Sequence, residues 1–396
     1  MRAGWTVFSV GLVAFAGGIA ACTAGADNDD YTAPPTNVTI PDPPSADAAA
    51  DVTSDVDAGP CADCEYFPAK CSPDVFCPNG PFDEDDETSL DGRTTITMIR
   101  GRSATDVWAV GAAGGAAHFD GTSWKRSETD TQLTLWGVWL PDGVEVAFAG
   151  LDPFLARGVA APDGGTTSPD GWTQQRPTYA AGHAPPRGSV TAAWSPSGGE
   201  WSWFATKGGA LWRLRRLPSG ELDGSTGVSA TVCNRFGCNQ AKSIHGASAS
   251  ELWAVGAFGS AVRVNDAQGD APSAKRFNTQ TTNALNGVWE ASASDAWAVG
   301  ARGTVRHYTG DPVLWEIPAD LPTDADLNAI WGFSPSDIWA VGDSGVVLHY
   351  DGTIWSRVKV AGLGSDRPNF TTVWGPAPGH VWIGGNGVVV SLGGKP

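Results

Sequence analysis

The sequence predicts an all-β fold, a seven-bladed β-propeller of four-stranded antiparallel blades, from a repeat, a strand pattern and a high tryptophan content. The repeat centres on the tetrad W-A-V-G, whose first residue is taken as the anchor of each unit. Two of the seven units match the tetrad poorly. The anchors are Trp108, Ala147, Trp203, Trp253, Trp297, Trp339 and Trp382. Successive anchors lie 39, 56, 50, 44, 42 and 43 residues apart, and periods of this length are typical of propellers.

The unit from Leu327 to Arg357 shows the pattern of a blade most clearly. Four short runs rich in Val, Ile, Tyr and Trp predict four β-strands, and they cover 327–331, 337–341, 346–350 and 354–358. The segments 342–345 and 351–353 predict hairpin turns, because their Gly and Asp residues tolerate a positive φ angle.

Tryptophan usage agrees with this architecture. The chain has 19 tryptophans in 396 residues, and most of them occupy either the anchor or a position in the first strand of a unit. The first-strand set is Trp136 or Trp139, Trp194, Trp289, Trp331 and Trp374. We interpret the repeated tryptophans as packing between blades, since large aromatic side chains contribute most to protein cores.

The N-terminus carries the features of an export signal. Arg2 precedes a short apolar run that ends in Ile19-Ala20-Ala21-Cys22, which predicts a lipoprotein signal peptide over 1–21 with lipid attached to Cys22. An ordinary signal peptidase cut is the alternative. Thr23, rather than Asp, follows the cysteine, and this favours the outer membrane. Residues 22–59 are mostly Ala, Asp, Pro, Thr and Ser, which predicts a disordered tether.

A cysteine-rich cap is predicted over 60–90, with the propeller following over 91–396. Six cysteines besides Cys22 are an even number in an exported chain, and this favours disulfides. They are Cys61, Cys64, Cys71, Cys77, Cys233 and Cys238. A zinc site built by the first four is the alternative, although no histidine lies near them. The acidic run 83–87 is interpreted as a solvated face.

The last unit lacks a fourth strand, because the sequence after Trp382 ends at Leu392 without the Y-D-G-T-x-W segment. An open sheet edge favours aggregation, so we expect another part of the chain to complete this blade. The segment from about Phe82 to Leu90 is predicted to supply the missing strand.

Charge and motifs limit the functions that the chain can have. Removal of the signal peptide leaves 24 basic and 43 acidic residues, and the net charge is then 24 − 43 = −19. So acidic a chain repels phosphate, and nucleic acid is not an expected partner. The sequence contains no G-x-S-x-G, H-E-x-x-H, Walker or dinucleotide-binding motif. We therefore expect no cofactor, no metal and no catalytic residue.

Polar residues also recur at fixed places in the units. An acidic residue stands two positions before most anchors, as in Asp106, Glu145, Glu251, Asp295 and Asp337. A histidine or arginine stands ten positions after them, as in His118, Arg157, Arg213, Arg263, His307 and His349. Because catalytic residues occur once and these occur once per unit, we interpret them as structural hydrogen-bonding groups.

The repeat W-G-[FV]-x-x-S-D-[IV]-W-A-V-G-x-x-G-x-[VL]-x-H-[FY]-x-G-x-x-W resembles the propeller repeats of bacterial exported lipoproteins. It is also similar to Asp-box (BNR-like) and photosystem-assembly-factor-like propellers, over residues 91–396. Tyr350-Asp351-Gly352-Thr353-Ile354-Trp355 lacks the serine and the spacing of a true Asp-box. The resemblance implies a fold rather than an activity, because propellers have many unrelated functions.

The favoured function is a lipid-anchored, non-enzymatic binding scaffold of the cell envelope for a protein or a polysaccharide. Two long inserts, 157–190 and 215–243, interrupt the repeat, and variable loops often carry binding sites. The predicted ligand-binding residues in them are Trp172, Tyr179, Arg235 and Phe236.

Two other functions remain open on the sequence. One is a glycan hydrolase or lyase at the channel mouth, for which Asp343 with Arg302 and Lys207 are the candidate residues. The other is a purely structural component of the envelope.

Overall fold

Seven β-sheets follow one another along the chain, and each forms one blade of a propeller. The computed structural model describes residues 63–83, 85–86, 88–179, 186, 188–196, 198–207, 209–319 and 321–392. The predicted signal peptide, the lipid site at Cys22, the tether and Cys61 lie outside the described residues. The predicted fold class, a seven-bladed propeller with four antiparallel strands in each blade, is confirmed.

The strands are numbered along the chain, and the first strand of each blade lines the central channel. Blade 1 contains β2 (Ile96–Ser103), β3 (Asp106–Gly111), β4 (Ala116–Phe119) and β5 (Trp124–Arg126). Blade 2 contains β6 (Gly137–Trp139), β7 (Glu145–Phe148), β8 (Phe154–Arg157) and β9 (Trp172–Gln175). Blade 3 contains β11 (Val190–Trp194), β12 (Trp201–Thr206), β13 (Leu211–Arg216) and β14 (Leu222–Val228), with β10 (Thr178–Tyr179) parallel to β14 at its outer edge.

The second half of the ring repeats this order. Blade 4 contains β15 (Ala241–Ser248), β16 (Glu251–Gly256), β17 (Ser260–Asn265) and β18 (Ser273–Asn278). Blade 5 contains β19 (Leu285–Ser292), β20 (Asp295–Gly300) and β21 (Thr304–Tyr308), with Glu316 bridging His307 in the fourth position. Blade 6 contains β22 (Leu327–Ser334), β23 (Asp337–Gly342), β24 (Val347–Tyr350) and β25 (Trp355–Arg357). Blade 7 contains β26 (Phe370–Ala377), β27 (His380–Gly385), β28 (Val388–Leu392) and β1 (Phe76–Pro78).

The described helices are short. The α-helix α1 (Ala230–Phe236) lies between blades 3 and 4, and the 3-10 turns cover Cys64–Tyr66, Ala112–Gly114, Cys238–Gln240, Ala257–Gly259 and Asp343–Gly345. A membrane span of about 20 residues exceeds the length of every helix in the described part of the chain.

Close contacts between turns define the two faces of the ring. A Cβ atom added at Gly259, between the second and third strands of blade 4, would lie 2.0 Å from the carbonyl oxygen of Thr281 in the loop to blade 5. These turns and the inter-blade loops therefore share one face, which we call the mouth face. On the opposite face the turn between the third and fourth strands packs on the turn between the first and second, as Gly352 does against Ser336.

The hydrophobic core lies mainly between neighbouring blades. One cluster joins Trp289 and Trp297 of blade 5 to Leu327 and Ile338 of blade 6. A Cβ atom added at Gly332 would lie only 2.7 Å from the ring of Trp289, so the glycine makes room for the tryptophan of the preceding blade. The interpretation of these tryptophans as inter-blade packing residues agrees with this geometry.

The repeated polar residues form pairs within blades. The acidic residue accepts a hydrogen bond from the histidine ten positions beyond the anchor, at 2.9 Å in the pairs of Asp106 with His118, Asp295 with His307 and Asp337 with His349. The same histidines stack on the anchor tryptophans, with ring centroids 3.9 to 4.6 Å apart. These contacts give the repeated residues a structural role. In these pairs the partner of the carboxylate is a histidine side chain and not a backbone N–H group.

The strand that completes blade 7 differs from the predicted one. It is β1, in which Phe76, Cys77 and Pro78 pair with Leu392, Ser391 and Val390. The described residues of the predicted segment from Phe82 to Leu90 form no strand, and Phe82 and Leu90 instead pack on the cluster between blades 7 and 1. The expectation that an N-terminal segment closes the ring is therefore correct, and the assignment of that segment was wrong by several residues.

Two of the expected disulfides are described in full. Cys71 is bonded to Cys77 of the closing strand, and Cys233 is bonded to Cys238 across the end of α1. Cys64 is also disulfide-bonded. Since cysteines in a disulfide are not zinc-ligating thiolates, these bonds favour the disulfide interpretation over the zinc alternative.

Candidate functional site at the mouth of the central channel

A ring of polar side chains surrounds the channel near the mouth face. In six blades the second residue of the first strand is a β-bulge. It has no pairing partner in the second strand of the same blade. A bulge redirects a side chain out of the regular alternation of a strand. The six residues are Thr97, Thr191, Lys242, Asn286, Asn328 and Thr371.

These bulge residues link each blade to the next. Five donate to a backbone carbonyl oxygen at or just before the start of the first strand of the following blade, at 2.8 Å from Thr191 to Ala241 and at 2.9 Å from Asn286 to Leu327. The other three donors are Thr97, Asn328 and Thr371. Lys242 donates instead to the Asn286 side chain at 2.9 Å. These hydrogen bonds join the inner strands of neighbouring blades around the channel, except from blade 2 to blade 3.

Trp136 of blade 2 takes the place of a polar residue in this ring. Its side chain is 43% exposed, although a tryptophan is among the largest apolar side chains. Leu133, in the loop before it, is 63% exposed, and its carbonyl oxygen accepts from Gly114 in a mouth-face turn. Phe258, in the corresponding turn of blade 4, is 74% exposed. The mouth face therefore presents large apolar side chains to solvent, and such groups often mark interaction sites.

A second ring lies deeper in the channel, three residues further along the first strands, or about 10 Å at the rise of a strand. Five blades place a tryptophan there, and blades 1 and 4 place Arg100 and His245. The guanidinium of Arg100 lies 5.4 Å from the ring centre of Trp331, and the imidazole of His245 lies 5.8 Å from the same ring. Between the two rings is a cavity of about 270 Å³.

The charge of this cavity contrasts with that of the chain. Arg100, Lys242 and His245 line it, and none of the described residues in its lining is a carboxylate. Burial lowers the pKa of the Arg100 guanidinium to about 10, so it stays charged at neutral pH. Burial, with the charge of Arg100 as the second cause, lowers the pKa of His245 to about 3, so its imidazole stays neutral.

Glu290 lies in β19 beyond the second ring and is buried. Its carboxylate accepts from the backbone N–H of Ala247 at 2.8 Å. Burial nevertheless raises the pKa of Glu290 to about 7 from an ordinary value near 4.5. The folded protein therefore binds this proton more tightly than the unfolded chain does, and its stability should fall as pH rises from about 4.5 to about 7.

We expect Glu290→Gln to remove this part of the pH dependence. The variant should gain roughly 1 to 3 kcal/mol over the wild type at pH 8 and little at pH 4.5, because glutamine has no charge to bury. Urea unfolding across this pH range measures the difference, with the exposed Glu316→Gln of the same blade as control. Identical pH profiles for wild type and Glu290→Gln would contradict the assignment.

The structure separates the four residues predicted to bind a ligand. Trp172 is 2% exposed and belongs to the core between blades 1 and 2, where its indole N–H donates to Ser127 Oγ at 2.9 Å. It is the fourth-strand tryptophan of blade 2, and Asp170-Gly171-Trp172 matches the D-G-x-x-W signal of other blades with a shorter spacing. Such burial argues against contact with a ligand. Tyr179 lies at the outer edge of blade 3, packed edge-on against Trp212.

Arg235 and Phe236 lie on the mouth face, away from the lining of the channel. Both belong to α1 in the loop between blades 3 and 4, which is on the mouth face. Phe236 packs on the core, whereas Arg235 is exposed with its guanidinium 5.6 Å from the Phe236 ring centre. Neither residue lines the channel cavity, and α1 contacts β18, the outer strand of blade 4.

The residues considered for a hydrolase or lyase also lie in mouth-face turns. Asp343 accepts a hydrogen bond from Asn328 at 2.8 Å and so supports the ring of bulge residues. Arg302 and Lys207 lie in the corresponding turns of blades 5 and 3. Among the residues that the structure describes, no three His, Cys, Asp or Glu side chains are grouped as a metal site would require.

A lateral cleft of about 930 Å³ lies between blades 2 and 3 on the outside of the ring. Pro162, Gly164 and Gly165 of the first insert form one wall, and Arg216 and Glu221 belong to the facing hairpin.

Comparison with known proteins gives a fold and no family. No protein-family model matches the sequence, and no curated protein matches it. A solved structure described as YCF48 bound to D1 peptide has a TM-score of 0.55 and 16% identity, covering 82% of this chain and 98% of that one. Catalytically inactive virginiamycin B lyase from Staphylococcus aureus with quinupristin has a TM-score of 0.56 and 12% identity, with coverages of 77% and 96%.

A third similar structure is the extracellular domain of a putative hybrid two-component system from B. thetaiotaomicron. Its TM-score is 0.57 at 12% identity, and the match covers 78% of this chain and 41% of that chain. At such low identities the likeness is one of fold.

Proposed function

We propose that this chain is a lipid-anchored, non-enzymatic binding scaffold of the bacterial cell envelope that docks a protein segment on its mouth face. The observation that carries the proposal is Trp136, a large side chain exposed at the one interruption of the polar ring. Buried aromatic side chains dominate the energetics of protein interfaces. Leu133 extends the same apolar surface.

Anchoring follows from the sequence rather than from the described residues. Cys22 in the context Ile19-Ala20-Ala21-Cys22 supplies the lipid, and residues 23–59 supply a tether. A propeller held in this way stays near the membrane. The similar propellers include an extracellular domain and one bound to a peptide, which supports an exported protein that binds proteins.

A protein partner is favoured over a polysaccharide by the chemistry of the exposed groups. Sugar sites combine an aromatic face with closely placed polar groups that hydrogen-bond hydroxyls. Leu133 and Phe258 are apolar, and they suit the aliphatic and aromatic side chains of a polypeptide.

The test is recovery of a partner from solubilised envelope by the full chain. We expect Trp136→Ser to reduce recovery of the partner by at least tenfold, because an aromatic hot spot typically contributes 2 kcal/mol or more. Ile354→Ser is the matched control, since Ile354 is also exposed but lies in a turn on the opposite face. Equal recovery by wild type and Trp136→Ser, or turnover of a glycosidase substrate without a bound partner, would contradict the proposal.

A further inference from the structure

Arg100 is an unusual residue in its position. At the same place in the first strand, five other blades carry tryptophan, so the repeat does not require a cation there. The Arg100 guanidinium donates to the backbone carbonyl of Ile99 at 2.7 Å and stacks on Trp331. Among the described ion pairs, none joins Arg100 to a carboxylate, whereas Arg102 in the same strand contacts both Asp106 and Glu145.

Arg100 is half-buried, and a cation that is partly removed from water without a counter-ion is destabilising. A buried cation is usually paired with a carboxylate or bound to an anion, because transfer out of water removes its solvation. The Arg100 side chain lines the cavity between the two rings, and no carboxylate borders that cavity within the described residues. The chain has 43 acidic residues against 25 Lys and Arg residues, so the lack of an acid beside Arg100 is not a matter of composition.

Several neutral groups around the cavity have protons left to donate. The Ser243 hydroxyl accepts from the backbone N–H of Val288 at 3.1 Å, and the Thr372 hydroxyl accepts from that of Ile99 at 3.3 Å. Each hydroxyl can donate its own proton to a further acceptor. His245 accepts through Nδ1 from the backbone N–H of Glu290 at 3.0 Å, which leaves the proton of the neutral ring on Nε2.

The remaining walls are apolar. Met98, Ile244 and Trp331 border the same space. A volume of about 270 Å³ is at the small end of the range for ligand sites, which suits a ligand of one ring or a short aliphatic chain.

We propose that the mouth-side cavity of the channel is a binding site for a small organic carboxylate, with Arg100 pairing with the carboxylate and Trp331 contacting its apolar body. A guanidinium presents two N–H groups in a plane that matches the two oxygens of a carboxylate. Lys242 at the rim adds a second positive charge along the path of entry. This inference goes beyond docking of a protein on the mouth face and does not depend on it.

The experiment is calorimetric titration of the full chain, purified in detergent, with three probes. Benzoate carries the charge and an apolar ring, benzamide carries the same ring without the charge, and inorganic sulfate carries charge without a ring. We expect one benzoate per chain, with benzamide weaker by roughly 10- to 100-fold, the range expected for a hydrogen bond to a charged group. Sulfate should be weaker than benzoate, and benzoate should raise the melting temperature.

Arg100→Met tests the residue itself. Methionine keeps an apolar chain of similar length against Trp331 and removes an unpaired charge, so the variant should be at least as stable as the wild type. Its affinity for benzoate should fall by roughly 10- to 100-fold. The control is Arg93→Met, because Arg93 is exposed and paired with Asp91 outside the channel.

Each result with the three probes and the two variants either supports or contradicts the proposed carboxylate site. Equal affinity for benzoate and benzamide, or sulfate binding as tight as benzoate, would overturn a carboxylate site. Unchanged benzoate affinity in Arg100→Met would remove Arg100 from it. A purely structural Arg100 would lower the melting temperature when replaced, while the wild type would bind no benzoate.

Discussion

Phe76→Ala is expected to lower the free energy of unfolding by about 3–5 kcal/mol, the usual cost of removing a buried aromatic side chain. Phe76 lies in the closing strand β1, is fully buried and contacts Trp339 edge-on at a ring distance of 5.4 Å. The backbone of Phe76 pairs with two neighbouring segments, with Leu392 in β28 on one side and with Val360 on the other. The loss should appear as a lower midpoint in urea unfolding followed by tryptophan fluorescence.

Phe82→Ala is the matched comparison for this prediction. Phe82 lies in the segment that the sequence analysis assigned to the closing strand, and its side chain is only half-buried. We expect its replacement to cost less than half as much as that of Phe76. A larger loss from Phe82→Ala would contradict the assignment of β1 as the strand that closes the ring.

Trp172→Ala should also cost about 3–5 kcal/mol of unfolding free energy. The side chain fills the space between blades 1 and 2, contacts Trp108 edge-on at 5.7 Å and donates a hydrogen bond to Ser127 Oγ. Replacement leaves both a cavity and an unsatisfied hydroxyl acceptor in the core. Urea unfolding at constant pH gives the magnitude.

Trp136→Ala is the comparison that separates an effect on stability from an effect on partner binding. Because Trp136 is 43% exposed, its loss should change the free energy of unfolding by less than about 1 kcal/mol. Trp172→Ala should retain partner binding at temperatures where it is folded, and Trp136→Ala should lose it. The reverse pattern would support the prediction made from the sequence, in which Trp172 contacts the ligand.

The blades were predictable because the sequence of each blade carries the pattern that identifies it. Strand-forming runs, glycine turns and an anchor tryptophan recur at a nearly constant period, and the observed strand β23 starts at Asp337 as the pattern indicates. The closing strand was not predictable in the same way. Phe76-Cys77-Pro78 is short, and its pairing with Val390 through Leu392 joins residues more than 300 positions apart.

The candidate site was missed for a related reason. Trp136, Lys242 and Arg100 occupy ordinary places within their own units, and only the closed ring brings them to one cavity. A signal was present, because comparison of equivalent first-strand positions shows Trp136 among polar residues and Arg100 and His245 among tryptophans. The long inserts drew attention to Trp172, although the insert only separates this residue from the third strand of its blade.

The central claim is that the mouth face is where this protein meets its partner, and site-specific photo-cross-linking in producing cells tests it most directly. A photoreactive residue at position 133 lies beside Trp136, one at 354 lies on the opposite face, and one at 221 lies in the lateral cleft. We predict a discrete protein adduct from position 133 and none from 354 or 221. An adduct from 221 or 354 without one from 133 would contradict the claim.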